Sequence, residues 1–341
     1  DRSVDQLSAY FTDHKDPGIL MIAARLNDAA DPVEIRDLIN GALVEARTQL
    51  VSNRRIEETK YRLRYCFTSN LGNSSGIAAM LTRFVHFWRT PETVNEVYRT
   101  YDSLTATDVR DIANKYFVDS QRITMTLSNS EGIAGIDGKA PVDALVSAAG
   151  MAAAPLASDD MQPIVKSPEV TAANIVPVAL VAEQSATSPL VDVAFLIHAG
   201  AGFDPEGKKG LAALTAAMVT DGGSEAMSIE RISEAMYPLA SGFHAQVDKE
   251  MTRLSGQVHK DNLATWYELV RGQLLFPAWS ESDFGRIKTQ LRTAIRTNLV
   301  GNNDEELAKE ALYASIYGED HPYGSLNLGS TSDFDSITLE D

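Results

Sequence analysis

The feature that most constrains this chain is a stretch near its middle, from Ser130 to about Ala173, that is rich in alanine, serine, proline and glycine. Such a composition offers no apolar periodicity from which to build a core and is typical of a linker. The 341 residues are therefore predicted to form two domains, 1–129 and 174–341, joined by a linker at 130–173. The alternative is an irregular segment inside one domain.

The block before the linker has the pattern of strand, helices, strand. Gly18–Leu26 is an apolar run, and Asp31-Pro32 is a strong helix start with Asp as N-cap and Pro at the first helical position. Thr105 and Asp108 have the spacing of a capping box. Ile123–Leu127, with its Ile and Thr content, predicts a closing strand.

The block after the linker begins with strands and ends with helices. Ile175–Ala182 predicts one strand, apolar alternation at 191–197 predicts another, and Phe243–Val258 predicts a hairpin. Three helices are predicted to follow, at Asn262–Leu275, Ser280–Leu299 and Asp304–Tyr317. Strands grouped apart from helices, without regular alternation, favour an α+β fold in both blocks.

Composition excludes several classes of function. The formal net charge of −17 and the isoelectric point of about 4.8 would repel nucleic acid; the acidity serves solubility or attracts basic peptides. The lone Cys66 excludes an intrachain disulfide and any zinc site built from several cysteines, and a buried small hydrophobe is its simplest role. No apolar run reaches the length of a membrane span. The chain opens at Asp1 without an initiator methionine, which predicts a processed or truncated product.

Common catalytic motifs do not fit this chain. The glycine-rich turn Gly200–Gly210 lacks the Gly-Lys-Ser/Thr ending of a phosphate-binding loop. None of the six histidines has another His or Cys at metal-motif spacing. His198, His244 and His259 fall on predicted strands and could converge on a metal, which is an alternative source of a site.

Several local sequences, in order and at about the expected spacing, resemble the pitrilysin/insulinase family of zinc peptidases. These are Asp16–Leu20, Leu104–Val109, Ala113–Phe117, Ala199–Ala212, His321–Gly324 and Ile337–Asp341. The resemblance implies metallopeptidase subdomains of the LuxS/mitochondrial-processing-peptidase type, in which an antiparallel-rich sheet packs with helices. Residues 1–129 would be the second subdomain of an N-terminal half, and residues 174–341 the first, similar subdomain of a second half. The first and last subdomains of the intact protein would then be missing.

In this family one half carries an inverted zinc motif, His-x-x-Glu-His, and a later helix supplies a third ligand, a Glu. Two His one turn apart hold Zn²⁺ while the Glu acts as general base on the zinc-bound water. Here the three positions are Ala213, Ala216 and Ala217, and Met218 follows as it commonly does in the family. The later helix, Gly285–Thr297, has no Glu or Asp. The resemblance therefore implies an inactive-type half without catalytic residues, metal ligands or a cofactor in this chain, and zinc only in the intact family member.

One segment resembles the strand that pairs with substrate in the active half of the family. It contains Phe243, His244, Ala245 and Gln246, which are the predicted substrate-binding residues. The alternative is an ordinary internal hairpin. Arg64-Tyr65 looks like the substrate-holding Arg and Tyr of the family, but it falls in the wrong subdomain and is interpreted as structural.

These features predict a non-catalytic segment of a zinc metallopeptidase that contributes to a peptide-binding chamber. The alternatives are a pseudoenzyme scaffold or partner subunit, of a peptidase or of a respiratory-complex core, and an unrelated α+β binding module. Expected partners are a peptide substrate and either the other subdomains of the same protein or a homologous subunit, with a dimer also compatible; nucleic acid and a membrane span are not expected. A bacterial periplasm and a bacterial cytoplasm fit about equally.

Overall fold

A computed structural model describes residues 4–12, 18–26, 31–71, 74–88, 90–127, 179–184, 188–318 and 321–341. The predicted linker at 130–173 lies outside the described residues. The chain divides into two compact units, one formed by Asp1–Lys60 and Ala78–Gln162, the other by Tyr61–Ile77 and Pro163–Asp341. The domain boundaries expected from the sequence stay a prediction.

The first unit contains a two-stranded antiparallel sheet and helices. Its strands are β1 (Val4–Phe11) and β2 (Leu20–Leu26). The helices along this half of the chain are α1 (Pro32–Thr48), α2 (Asn53–Ser69), α3 (Ser74–Trp88), α4 (Thr93–Ser103) and α5 (Ala106–Tyr116). Part of α2 and the start of α3 fall within the stretch that clusters with the second unit.

Two predicted helix starts are confirmed by their caps. The Asp31 side chain accepts a hydrogen bond from the backbone N–H of Val33 at 2.8 Å, with Pro at the first position of α1. Thr105 and Asp108 form the predicted capping box at the start of α5, where each side chain accepts from the other residue's backbone N–H. These bonds satisfy helix N–H groups that have no partner inside the helix.

Two strand predictions are wrong. Residues 123–127 are irregular, and Ile123, Met125 and Leu127 are almost fully exposed. A strand requires a neighbour to accept its backbone hydrogen bonds, and the two-stranded sheet of this unit does not include these residues. Of the predicted strand 175–182, residues 175–178 lie outside the described residues and 179–182 are irregular.

The second unit packs helices on a three-stranded antiparallel sheet. The strands are β3 (Leu190–Ile197), β4 (His244–Val247) and β5 (Thr252–His259), in the order β3-β5-β4. The predicted alternation in β3 and the predicted hairpin with its turn at 248–250 are confirmed. The helices are α6 (Leu211–Asp221), α7 (Ile229–Met236), α8 (Leu263–Leu275), α9 (Glu281–Thr293) and α10 (Asp304–Tyr317). A π-helical segment, Ala294–Val300, continues α9.

Helix α6 lies between two apolar clusters, which explains why it is apolar nearly all round. On the sheet side, Ala216 joins a cluster with Phe243, Leu254 and Trp266. On the other side, Leu214 and Met218 pack with residues of α9 and of the C-terminal segment. Its alanines let the helix approach the sheet closely, because a methyl group occupies little space.

The predicted α+β class with antiparallel sheets is confirmed, while the similarity of the two predicted subdomains stays a prediction. No helix among the described residues has the length and apolar character needed to cross a bilayer.

Candidate functional site

The start of α6 is held by a buried carboxylate. Asp204 accepts hydrogen bonds from the backbone N–H of Gly210 at 2.7 Å and of Ala212 at 2.8 Å. Gly210 has φ +107° and Gly329 has φ +90°, values that favour glycine. The two glycines touch, since a Cβ on Gly329 would lie 2.2 Å from the Gly210 Cα. The loop before α6 therefore fixes the position of the helix start next to the C-terminal segment.

Two of the three motif alanines face one cavity. Ala213 and Ala217 lie one helical turn apart and line a cavity of about 230 Å³. Its remaining lining residues come from the end of α6, β4, α9 and the C-terminal segment: Thr220, Asp221, His244, Ala245, Val247, Leu291 and Leu328. Ala216 instead belongs to the apolar cluster on the sheet side. The first and last positions of the degenerate motif thus share one site, as two zinc ligands at that spacing would.

The residues present do not fit a zinc ion. A methyl group has no lone pair, and Leu291, which lines the same cavity from α9, is an aliphatic side chain that cannot bind a metal. In the part of the chain that the structure describes, no three His, Cys, Asp or Glu side chains are grouped to hold a metal. Asp221 and His244 line the cavity, but two groups fall short of the three protein ligands of a catalytic zinc.

The three strand histidines do not converge. His259 pairs with Leu190 at one end of the β3–β5 ladder, whereas His198 follows Ile197 at the other end. At ~3.3 Å per residue, the two histidines are roughly 25 Å apart. A metal site built from His198, His244 and His259 is therefore excluded by the strand register.

The predicted substrate-binding segment forms β4, an edge strand of its sheet. His244 and Gln246 are exposed and Ala245 is half-buried. Phe243, just before the strand, is only 4% exposed and makes edge-to-face contacts with Phe195 and Trp266, with ring centroids 6.4 and 6.5 Å apart. Phe243 therefore supports the sheet from inside the core, and the other three lie where a ligand could reach them.

The hairpin register shows which backbone groups of β4 point away from the sheet. The N–H of Asp248 donates to the carbonyl of Met251 at 2.8 Å, which marks this pair as hydrogen-bonded. Hydrogen-bonded and non-bonded pairs alternate along an antiparallel ladder. Val247 and Ala245, which pair with Thr252 and Leu254, therefore direct their N–H and C=O groups to the outer edge. An extended peptide could pair with these groups.

A second cleft of about 480 Å³ adjoins the first cavity and shares Thr220, Asp221 and His244 with it. Its wall includes Arg62, which donates to the Tyr237 carbonyl at 3.1 Å and lies 4.7 Å over the Tyr237 ring. The remaining lining residues are Ile229, Ile232, Ser233, Met236, Ser241, Gly242, Phe243, Gln273, Arg286 and Gln290.

Asp221 is the acidic residue of this cleft, and its pKa is shifted. Solvent reaches its side chain through the opening, but protein surrounds the rest, and this burial raises the pKa of Asp221 above its usual range. The positive charges of Arg286 and His244 oppose the shift without cancelling it. Arg286 is itself paired with Asp283 at 2.7 Å, and it donates to the backbone carbonyl of Asp221 at 2.6 Å.

Sequence reasoning did not identify Leu291, Asp221, Arg286 or Arg62 as lining residues. The positions of Leu291, Arg286 and Arg62 depend on how α2 and α9 pack around the end of α6, which no spacing motif encodes. Asp221 lies four residues after Ala217, so helical spacing could have placed it beside the motif alanines. Tyr65, by contrast, packs its ring 5.0 Å from the His259 ring, which is the kind of contact expected of a structural residue.

Residues 179–326 match the model of the family described as Insulinase (Peptidase family M16). No curated protein matches the chain. Among solved structures, the chain is similar to a peptidase M16 inactive domain from Pseudomonas fluorescens, with 25% identity and a TM-score of 0.40. It is also similar to a protease from Helicobacter pylori, with 17% identity and a TM-score of 0.38.

Each of these two overlays covers 45% of this chain and 36% of the other. This chain thus spans about a third of the length of the structures it matches. The similarity to this family rests on the sequence match. Residues 179–326 of this chain are similar to the insulinase family of peptidases, family M16.

Proposed function

We propose that this chain is a non-catalytic segment of an M16 zinc metallopeptidase, and that it holds an extended peptide along the outer edge of β4. Peptide-bond hydrolysis would take place at a complete His-x-x-Glu-His motif elsewhere in the assembly. The observation that carries the proposal is the pair Ala213 and Ala217, which face one cavity beside β4 and offer it no ligand atom.

Strand addition suits the exposed edge of β4. Ala245 and Val247 offer two N–H donors and two C=O acceptors at this edge, and main-chain pairing binds peptides without demanding a particular sequence. The adjoining cavities could receive side chains of such a peptide. Expected partners are therefore a peptide and the other subdomains of the same protein or a homologous subunit; a dimer stays a prediction.

Proline substitutions test the edge directly. Ala245→Pro removes an outward N–H and places ring atoms where a peptide backbone would pair, while the inward ladder to β5 stays intact. The matched control is Ala194→Pro on β3, at the opposite edge. Ala194 pairs with Ser255, whose hydrogen bonds are directed at β4, so Ala194 also directs its N–H outward.

The assay is fluorescence anisotropy with a labelled, unstructured peptide added to the full chain. We expect the wild type and Ala194→Pro to bind alike, and Ala245→Pro to bind about tenfold more weakly, because a lost hydrogen bond that leaves a partner unsatisfied costs ~1–3 kcal/mol. Circular dichroism checks that both variants fold. Equal binding by both proline variants would contradict pairing at β4.

A pseudoenzyme scaffold is the second candidate function, because a helix α6 that keeps its place but has no metal-binding side chains also fits a subunit that only supports a partner. The same titration separates the two functions. A scaffold with no peptide site shows no saturable binding to the wild type at any peptide concentration, and its interaction partner is then a homologous subunit.

A further inference from the structure

Two cavities of different chemistry meet at the beginning of β4. One is the cavity of about 230 Å³ lined by Ala213, Ala217 and Leu291, and its surface there is aliphatic. The other is the cleft of about 480 Å³ that contains the Asp221 carboxylate. His244, the first residue of β4, lines both. A peptide that lies along this strand therefore passes a cavity with an aliphatic wall and a larger cleft with charged groups of both signs, and Asp221 lines both.

The Asp221 carboxylate has no ion-pair partner within 4.0 Å among the described residues. Arg286 is the nearby candidate, but its guanidinium pairs with the Asp283 carboxylate and reaches Asp221 only at the backbone carbonyl. Asp221 is also the last residue of α6, where the helix dipole disfavours negative charge. Its position at the end of the helix, without an ion-pair partner among the described residues, makes this carboxylate a group that gains from a cation supplied by a ligand.

The other positive groups of the cleft form no ion pair with Asp221 among the described residues. Arg286 is paired with Asp283, although Arg286 and His244 both act on the charge of Asp221. Arg62 is held by the carbonyl and the ring of Tyr237 and is not among the charges that act on Asp221. The cleft volume falls within the ~300–1,000 Å³ of ordinary ligand pockets. The net charge of −17 would also draw basic peptides toward the chain.

We propose that this cleft is a specificity pocket for a lysine or arginine side chain, whose cation pairs with Asp221 while the peptide backbone lies along β4. The neighbouring cavity, walled by Ala213, Ala217 and Leu291, accepts a small apolar side chain of the same peptide. This inference rests on the proposed peptide binding at β4 and adds a preference for basic residues to it.

The test compares two labelled peptides that differ at a single central residue, lysine in one and norleucine in the other, which is similar in length and has no charge. Both are titrated against the full-length wild type, against Asp221→Asn and against the control Asp192→Asn. Asp192 lies on β3 at the opposite edge and accepts a hydrogen bond from Gln257 at 2.7 Å, a bond that an asparagine oxygen can keep.

We expect the wild type and Asp192→Asn to prefer the lysine peptide by about tenfold, the scale of one partly buried ion pair. Asp221→Asn should lose this preference while it binds the norleucine peptide as the wild type does. The preference should also shrink as salt is added, because part of the pair is screened.

The outcomes separate this inference from the proposed function. Equal binding of the two peptides by the wild type, or a lysine preference that survives in Asp221→Asn, overturns the pocket and leaves binding at β4 standing. If neither peptide binds the wild type, both the proposed function and the proposed specificity pocket are overturned.

Discussion

Replacing Asp204 by alanine tests whether one buried carboxylate positions the helix that carries the motif. Asp204 is 8% exposed and accepts from Gly210 and Ala212 at 2.7 and 2.8 Å. Hydrogen bonds to charged groups contribute roughly 1.5–3 kcal/mol each, and loss of the desolvation cost of the carboxylate offsets part of the total. We expect Asp204→Ala to lower the free energy of unfolding by about 3 kcal/mol.

The assay is urea denaturation, followed by far-UV circular dichroism and by tryptophan fluorescence, to which Trp266, buried in the same unit, contributes. For a unit of this size, ~3 kcal/mol corresponds to a fall of roughly 10 °C in Tm. Asp204→Asn keeps one acceptor and should fall between alanine and wild type. Glu206→Ala, at an exposed position of the same loop, is the control and should stay within about 0.5 kcal/mol. A loss below about 1 kcal/mol for Asp204→Ala would refute the reasoning.

Two further predictions concern backbone space and pH. Gly329→Ala should lower the free energy of unfolding by roughly 2 kcal/mol or more, because its Cβ would meet Gly210 at a positive φ. The control, Gly285→Ala, has nothing within 4 Å of its Cβ and should raise the free energy of unfolding by roughly 0.5–1 kcal/mol. Similar urea midpoints for the two variants would contradict the close approach of Gly329 to Gly210. Asp221→Asn should be more stable than the wild type at about pH 7 and equal to it at about pH 3. A carboxyl whose pKa is raised on folding makes wild-type stability fall as pH rises above 3.8, its unfolded value. Urea denaturation of both proteins at both pH values measures this difference. A wild type more stable than Asp221→Asn at neutral pH would contradict the raised pKa of Asp221.

The elements that could be predicted from the sequence are those whose signals are local. The caps at Asp31 and Thr105 are encoded within four residues, and the alternation in β3 reflects one buried face. Residues 123–127 show the same kind of pattern, yet form no strand, because strand formation depends on a partner elsewhere in the chain. The π-helical segment at Ala294–Val300 was likewise not predicted, because the sequence pattern there only continues a helix.

Some residues of the candidate site could be predicted from local sequence and others could not. The positions of Ala213 and Ala217 were predictable, because a spacing of four on a helix places two side chains on one face. Leu291 was not, since it reaches the site only through the packing of α9. Asp221 follows Ala217 at the same spacing of four, so that signal was available in the sequence. Phe243 was predicted to bind substrate with its neighbours. It packs in the core and also lines the cleft of about 480 Å³, and its part in binding stays a prediction.

The most direct test of the central claim is the zinc content of the purified chain by elemental analysis, together with cleavage of a quenched peptide. The positive control is a variant that introduces three ligands around the cavity of about 230 Å³: Ala213→His, Ala217→His and Leu291→Glu. We expect the wild type to contain no stoichiometric zinc and to leave the peptide intact, and the variant to bind about one zinc per chain, because three protein ligands suffice. Stoichiometric zinc in the wild type, with hydrolysis of the peptide, would contradict the claim that this domain is non-catalytic.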